Sequence, residues 1–450
     1  MTASQSRRPT RALGRGCVVF PPGLLLLGFL GGVTGALAQG VLTQPSETYE
    51  RTAASQGLTT NVTTVIPPLA GPVAQAPGPF QLGPVDFHPH LLYRFLYGDG
   101  IPAGPTNHLK TAIQEISPGL LLDLGRYWTL DYTPTVRLYS NPHLPDGTDE
   151  LVVLAGKTSY QDWGFNLSQT YSSSSAPLLE TEALTEQENY RTDLQASKQL
   201  GNQLSAQAGL DQDFQSISYG TISQNIRQWT ATAGLNDQFW PRFGVGFTGS
   251  AGYDLITPGA NMTFEQAQGT MNWRVQDKMT MTATAGLEVT QLRGAELINP
   301  TYSGTVAYRP WEQTSASLTA SRSVSPSFYA DDILVNTTIS AAFQQQFLQH
   351  FSFDLSGGYT TTPYVGFATV DELNPLTNFH QIGVPVPLVR TATVQQNRED
   401  YFRFVRVSVG STFRKRGSVS IFYSFSDYTS GSSVFSLTST QVGIEIGWRY

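Results

Sequence analysis

The C-terminal ten residues, 441–450, alternate between polar and apolar side chains without a break. Successive side chains of a β-strand point to opposite faces, so this pattern predicts one strand with a polar and an apolar face. The apolar face ends in two aromatic rings, which is typical of a strand that touches lipid and turns its polar side chains into a lumen. A soluble sandwich strand also alternates, but it does not usually end a chain on its apolar face. The apolar positions are Val442, Ile444, Ile446, Trp448 and Tyr450.

The same period of two recurs from residue 87 onward, in runs bounded by turn residues. The clearest runs cover 128–132, 204–211, 228–235 and 279–290. No amphipathic helix of convincing length is present. The sequence therefore predicts an all-β protein.

The predicted connections alternate between short and long. Outer-membrane barrels have short periplasmic turns and longer outer loops, whereas a soluble sandwich gives no reason for this alternation. We therefore predict a transmembrane antiparallel up-and-down β-barrel over 87–450, with about 18 strands and 16 as the alternative, and with both chain ends in the periplasm. The count requires a weakly marked turn near Gly156–Ser159. The predicted long outer loops are 98–108, 141–149, 173–189, 215–225, 255–263, 292–299, 324–332, 363–399 and 429–434.

Residues 1–38 have the form of a Sec-type signal peptide, with four arginines, a short apolar run at 24–30 and an Ala-x-Ala site ending at Ala38. An uncleaved anchor is the alternative, but the apolar run is shorter than the roughly 20 residues that a spanning helix needs. Residues 39–86 are rich in Pro, Ser and Thr and predict a disordered periplasmic segment. These features indicate export to the cell outer membrane.

Composition narrows the class further. Only 14% of the residues are charged and the mean hydropathy is −0.18, which suits a barrel better than a soluble protein or a helical membrane protein. The net charge of −7 argues against a nucleic-acid partner, because phosphate binding needs basic clusters. The one cysteine, Cys17, lies in the predicted signal peptide, so we expect no disulfide and no cysteine-bound zinc.

The tryptophans collect near the predicted short turns. Trp163 lies near the weakly marked turn, and five others lie within a few residues of a short turn or the C-terminus. This placement predicts an aromatic girdle at the periplasmic membrane interface, although ordinary core tryptophans are the alternative. The five girdle residues are Trp128, Trp240, Trp273, Trp311 and Trp448.

Charged residues also occupy the polar positions of the alternating strands, and both acidic and basic residues occur there. In a water-filled pore such charges set ion preference, whereas in a packed lumen they would brace the barrel as ion pairs. A barrel of this size is wide enough for an aqueous channel unless something fills it, and the 363–399 loop is our candidate for an inward-folded constriction. The lumen-lining candidates are Arg94, Asp131, Arg137, Asp211, Arg274, Glu288, Asp354, Arg406, Glu445 and Arg449.

Catalysis at the outer rim would require nucleophile, base and acid groups in the outer loops. His108, His143 and His380 fall in predicted outer loops, but no spacing around them is diagnostic. His88 and His90 are too few to form a metal site. We therefore predict no catalytic residue, no metal and no cofactor, and no enzyme activity.

Several short motifs support this class. They are Leu91–Arg94 with Gly98–Gly100, Glu115–Gly119, Trp128–Tyr132, Trp240–Arg242 and the closing strand. Over 87–450 the sequence resembles the β-barrel porin-2 type of Gram-negative bacterial outer-membrane protein. That resemblance implies a barrel in the cell envelope, inserted in outer-membrane lipid, and a closing strand recognised by the barrel assembly machinery. It implies no particular substrate.

Three functional hypotheses follow. The first is a porin-like channel for passive passage of small hydrophilic solutes or saccharides, with a link to polysaccharide export. The second is a closed structural or adhesive barrel that binds surface glycans or a partner through its long outer loops. The third is a rim hydrolase that uses His143 or His380. The sequence predicts neither the solute nor the oligomeric state.

Overall fold

All regular secondary structure in the described part of the chain is β-strand. The computed structural model describes residues 80–104, 107–178, 183–328, 332–348, 350–369, 391–414, 416–431 and 436–449. The predicted signal peptide and most of the predicted disordered segment lie outside these residues. No helix in these ranges is long and apolar enough to cross a membrane.

Nineteen strands occur within the described ranges. They are β1 (Phe80–Leu82), β2 (Val85–Gly104), β3 (Asn107–Leu124), β4 (Trp128–Tyr139), β5 (Gly147–Tyr160), β6 (Trp163–Leu178), β7 (Ala183–Gln199), β8 (Leu204–Tyr219), β9 (Ile222–Trp240), β10 (Phe243–Thr257), β11 (Met262–Gln276), β12 (Met279–Leu292), β13 (Ala295–Trp311), β14 (Thr314–Pro326), β15 (Asp332–Phe347), β16 (Phe351–Thr369), β17 (Thr391–Phe413), β18 (Gly417–Ser430) and β19 (Ser436–Arg449).

The sheet closes on itself. Each strand from β2 to β19 pairs antiparallel with the next, and β19 pairs antiparallel with β2 over Thr440–Arg449. β1 is a short extra strand that pairs with β2, so the described sheet includes residues ahead of the predicted barrel start at residue 87. The predicted up-and-down barrel is confirmed, and the count of 18 rather than 16 strands is the one that the described chain adopts.

The barrel has two rims. The turn rim carries β1, the end of β19 and every second connection, starting with β3–β4 and ending with β17–β18, and these are tight turns. The loop rim carries the other connections, starting with β2–β3 and ending with β18–β19. The weakly marked turn predicted near 156–159 lies instead at Gln161–Asp162, where Gln161 has a φ of 52°. Polar residues up to Tyr160 continue β5 because a paired backbone needs no apolar side chain.

Three predicted long loops are wrong. Of 98–108, residues 98–104 belong to β2 and 107–108 to β3, and 105–106 lie outside the described residues. Residues 215–225 form a hairpin around Gly220, and 292–299 form a hairpin around Arg293–Gly294. Gly220 has a φ of 59°, and Arg293 and Gly294 have φ values of 52° and 77°. Such positive φ values suit two-residue hairpin turns, so the flanking polar residues extend the strands instead of forming loops.

Large apolar side chains cover one face of the closed sheet. Phe247 on β10, Leu287 on β12 and Ile421 on β18, across the barrel, are 60%, 56% and 58% exposed. Cross-strand partners share a face, so the register carries this exposed face around the whole barrel. In a closed barrel the exposed apolar face is the outer one, and the polar face lines the interior.

A matched pair of substitutions tests this assignment of faces. Phe247→Lys places a charge at the middle of the outer face of β10, and we expect it to lower the free energy of unfolding in lipid by about 2–4 kcal/mol. Thr248→Lys, its neighbour on the inner face, should cost less than about 1 kcal/mol. Denaturant titration of the barrel refolded in bilayers measures both, and equal losses would contradict the assignment.

Candidate functional site: the lumen of the barrel

The ten predicted lumen charges share one face of the sheet. Arg94 stands opposite Glu115 on one side and Glu445 on the other. The register from strand to strand places the remaining candidates on this same face, opposite the exposed apolar side chains. What these residues do in the lumen depends on their partners.

Six of the lumen charges form what we call the charge ladder, in which carboxylates and guanidinium groups alternate. It is made of Asp149, Arg137, Glu115, Arg94, Glu445 and Arg406. The four contacts from Asp149 to Glu445 have N–O distances of 2.6, 2.9, 2.7 and 2.8 Å, and Arg406 Nη2 lies 3.4 Å from Glu445 Oε1. The ladder crosses the β19–β2 seam where the barrel closes.

The strand register explains why the ladder forms. Glu115 stands directly opposite both Arg94 and Arg137, so its two oxygens each accept a hydrogen bond from a different arginine. The Glu115 side chain is 5% exposed and that of Arg137 is 8% exposed, so these charges have lost most of their water. Burial of charges is tolerated only with such pairing, which braces the wall between β2 and β5.

Three more predicted lumen acids are held by neutral hydrogen-bond donors. Asp131 accepts a hydrogen bond from Thr133 at 3.1 Å, and Glu288 accepts one from Gln266 Nε2 at 3.1 Å. Asp354 accepts one from Ser352 at 3.3 Å. These carboxylates are therefore positioned without being neutralised by a hydrogen-bonded arginine.

The two remaining predicted arginines lie at the turn rim. The side chains of Arg274 and Arg449 are exposed, and their backbone N–H groups donate to Arg242 O and Arg416 O. They border the opening of the lumen at the turn rim, not its middle.

Sequence reasoning missed several carboxylates that the strand register places on the lumen face. Asp213 lies two residues after Asp211 and therefore on the same face, so alternation could have predicted it. Glu115 alternates with Ile116 within one of the quoted motifs. Asp149 had been assigned to a loop, and Asp193 and Asp254 lie in runs whose alternation is weak.

At the loop rim the end of the β14–β15 hairpin lies across the barrel interior. We call Pro326–Phe328 with Asp332–Val335 the cap. Gln224 Nε2 of β9 donates to Ser327 O at 2.8 Å. Phe328 is 7% exposed and packs against Leu178 of β6 and Ile217 of β8, which are not sheet neighbours of β14. The cap therefore narrows the lumen on the side of β6 to β13.

A second apolar cluster narrows the same rim from the other side. Leu144, from the predicted outer loop 141–149, is 3% exposed and packs against Leu96, Ile113 and Phe422. Leu184 of β7 also touches this cluster. The β4–β5 connection is thus folded into the barrel instead of standing free.

The predicted constriction, 363–399, begins and ends within β-strands. Its first residues belong to β16 and its last to β17, and 370–390 lie outside the described residues. Asp400 accepts hydrogen bonds from Tyr364 at 2.8 Å, from Arg398 at 2.8 Å and from Tyr428. These contacts fix both flanks of the segment to the barrel wall.

A row of serines on the lumen face of β14 has no hydrogen-bond partner within the described protein. The buried hydroxyls of Ser315, Ser317, Ser321 and Ser323 neither donate nor accept there. Buried polar groups are normally hydrogen-bonded to protein or water, and leaving one unpaired costs about 1–3 kcal/mol.

The tryptophans lie where the sequence predicted them along the chain. Trp128, Trp240, Trp273, Trp311 and Trp448 are at strand ends on the turn rim, with exposed fractions between 40% and 69%. Trp163 begins β6 at the same rim. Their role as a membrane girdle remains a prediction.

The closing strand is β19. Its apolar residues Val442, Ile444, Ile446 and Trp448 are all exposed on the outer face, as alternation requires. Tyr450 lies outside the described residues. Recognition of this strand by assembly machinery stays a prediction.

Among the described histidines, His90 is buried, with Nε2 3.0 Å from Thr133 Oγ1 and 3.9 Å from Asp131 Oδ1. His143 contacts only its neighbour Asn141 through its ring, and His88 Nε2 lies 3.1 Å from Asp123 Oδ2. His380 and the side chain of His108 lie outside the described part. No group of three or more potential metal ligands occurs among the described residues.

Comparison with known proteins gives a limited result. No family model matches the chain, and no curated protein matches it. Among solved structures it is similar to the outer membrane protein OpdK of Pseudomonas aeruginosa, with 13% identity, 81% of this chain and 99% of that chain covered, and a TM-score of 0.42.

Two further solved structures are similar at the same level. OccAB3 of Acinetobacter baumannii shows 10% identity, coverage of 81% and 100%, and a TM-score of 0.41. OccK2 (OpdF) of Pseudomonas aeruginosa, solved in complex with glucuronate, shows 12% identity, coverage of 81% and 98%, and a TM-score of 0.43. The assignment of the barrel rests on the pairing of this chain's own strands.

The charge ladder predicts an asymmetry between two carboxylates. Breaking a buried ion pair costs about 3–5 kcal/mol, but Arg94 and Arg137 each keep a second carboxylate, so Glu115→Ala should lower the free energy of unfolding by about 2–3 kcal/mol. Asp277 pairs with Arg242 at 3.0 Å at the exposed turn rim, and Asp277→Ala should cost less than about 1 kcal/mol. Denaturant titration followed by tryptophan fluorescence measures both losses. Similar values for the two variants would show that the ladder does not brace the barrel.

Proposed function

We propose that this protein is a porin-like channel of the bacterial outer membrane, through which small hydrophilic solutes pass passively. The observation that carries the proposal is the polar lumen face, on which side chains such as Thr232, Ser250 and Gln268 are only partly buried. A dry, packed lumen would bury these polar side chains fully. A water-filled lumen leaves them hydrated and offers a hydrophilic path.

The proposed location follows from the two faces of the sheet. An apolar outer face around a closed sheet leaves no unpaired strand edge, which is the arrangement that a β-protein needs in a bilayer. We infer that residues 1–38 direct export, that outer-membrane lipid surrounds the barrel, and that the turn rim with both chain ends faces the periplasm. We also propose that the barrel assembly machinery recognises the closing strand and inserts the barrel into the membrane.

The second candidate is a closed structural or adhesive barrel. The cap and the Leu144 cluster favour it, because both place apolar side chains across the loop rim. Under this alternative the connections of the loop rim bind a surface glycan or a partner. A link to polysaccharide export would narrow the channel proposal to one class of solute, and it rests on the sequence alone.

Conductance separates the two candidates. Purified protein refolded into planar bilayers should give discrete current steps, and liposomes that contain it should swell in solutions of small sugars. The same preparation refolded without lipid, and so unable to insert, is the control. A folded barrel that gives neither steps nor swelling would leave the closed barrel as the function.

The cap makes a separate prediction about the size of the steps. Phe328→Ser removes the ring that packs against Leu178 and Ile217, so the cap should detach and single-channel conductance should rise. Leu348→Ser, at a side chain that is 78% exposed on the turn rim, is the control and should leave conductance unchanged. An unaltered conductance in Phe328→Ser would show that the cap does not limit the path.

A further inference from the structure

The lumen wall from β7 to β12 carries five carboxylates that the charge ladder does not include. We call this group the acidic arc. It consists of Asp193, Asp211, Asp213, Asp254 and Glu288. Among the described lumen-face residues of these strands, Arg191 is the one basic side chain away from the turn rim.

Arg191 neutralises the arc poorly. Its Nη2 atom lies 4.0 Å from Asp211 Oδ1, whereas most pairs of the charge ladder lie between 2.6 and 2.9 Å. The ladder contains three arginines and three carboxylates, so its charges cancel. The arc therefore leaves an excess of negative charge on one side of the lumen.

The strand register brings some of these negative charges close together, which lowers the stability of the barrel. Asp193 and Asp211 stand directly opposite each other on β7 and β8. Like charges directly opposite on neighbouring strands destabilise a sheet. Among the described residues, Asp193 Oδ1 and Asp213 Oδ1 have no hydrogen-bond partner. A cation in the lumen would relieve both conditions.

Asp254 provides an independent observation. It is 0% exposed, and neither of its carboxylate oxygens has a hydrogen-bond partner in the described part of the chain. Asp254 and Asp213 both stand opposite Gln228, on the two strands that flank β9, so they lie at the same height in the lumen. Both oxygens are closed to the lumen in this structure, so a positively charged group in the lumen would stabilise this buried carboxylate from nearby, through its electric field rather than by direct contact.

We propose that the acidic arc is a subsite for cations, and that the solutes of this channel carry a positively charged group such as an ammonium. The proposal rests on the proposed channel function and names its substrate class. The arc attracts cations along one wall of the lumen, while the neutralised ladder on the opposite side attracts neither sign. Anions are disfavoured because the arc repels them.

Reversal potentials in a KCl gradient at pH 8 test the proposal. The wild-type channel should prefer K⁺ to Cl⁻ by about fivefold or more, and Asp193→Asn with Asp211→Asn and Asp213→Asn should bring the ratio down toward about one. The matched control removes three carboxylates from the turns of the turn rim by Asp162→Asn, Asp277→Asn and Glu312→Gln, and it should keep the wild-type ratio. Migration on unheated gels shows that each variant is folded, and Asp211→Asn alone serves if the triple variant does not fold.

Two outcomes overturn the proposal and leave the channel in place: a wild-type ratio of one or less, and a triple variant that keeps the wild-type ratio. If the wild-type barrel conducts no ions, the channel function fails, and binding of 1,4-diaminobutane to the folded barrel in detergent decides the subsite by calorimetry. Binding that is lost in the triple variant and kept in the control supports the cation subsite. Equal binding in all three, or none in the wild type, overturns it.

Discussion

The structure depends on one constraint: every backbone N–H and C=O group of a strand in hydrocarbon must be hydrogen-bonded within the sheet. An open sheet leaves two edges unpaired, so the only solution for this chain is the pairing of β19 with β2. Closure with an even number of antiparallel strands places the start of β2 and the end of β19 at the same rim. It also divides every side chain between an outer apolar face and an enclosed polar one.

The enclosed face is not uniform, and the difference is electrostatic. Near the β19–β2 seam, arginines and carboxylates alternate at hydrogen-bonding distance, so this wall is braced and nearly neutral. From β7 to β12 the carboxylates outnumber the bases, and several of their oxygens have no hydrogen-bond partner among the described residues. The two readings of the lumen charges, bracing and pore lining, therefore apply to different walls of one barrel. The cap lies over the acidic side, where its Ile333 packs against Ile226, Ile256 and Met262.

Period-two alternation predicted most of the fold because it is a local property of the strand. It located β4, β8, β12 and β19, and it assigned Arg94 and Glu445 to the same face although they lie near opposite ends of the chain. It failed at the hairpins around Gly220 and Arg293–Gly294, where polar residues had been assigned to loops. The polarity of a residue indicates whether it contacts lipid. Strand pairing depends on the backbone and extends beyond the membrane, so polar residues there are still part of strands.

Residues adjacent in the chain were enough to predict the class of fold, the face of the ten lumen candidates and a count of about 18 strands with 16 as the alternative. Which charges meet was decided by tertiary pairing. Arg94 and Glu445 are separated by 351 positions and are joined only when the sheet closes. Leu144 and Phe328 are buried against residues of distant strands because their segments fold into the lumen. Such contacts depend on the curvature of the closed sheet and on the register accumulated around it, and neither is encoded in a single strand.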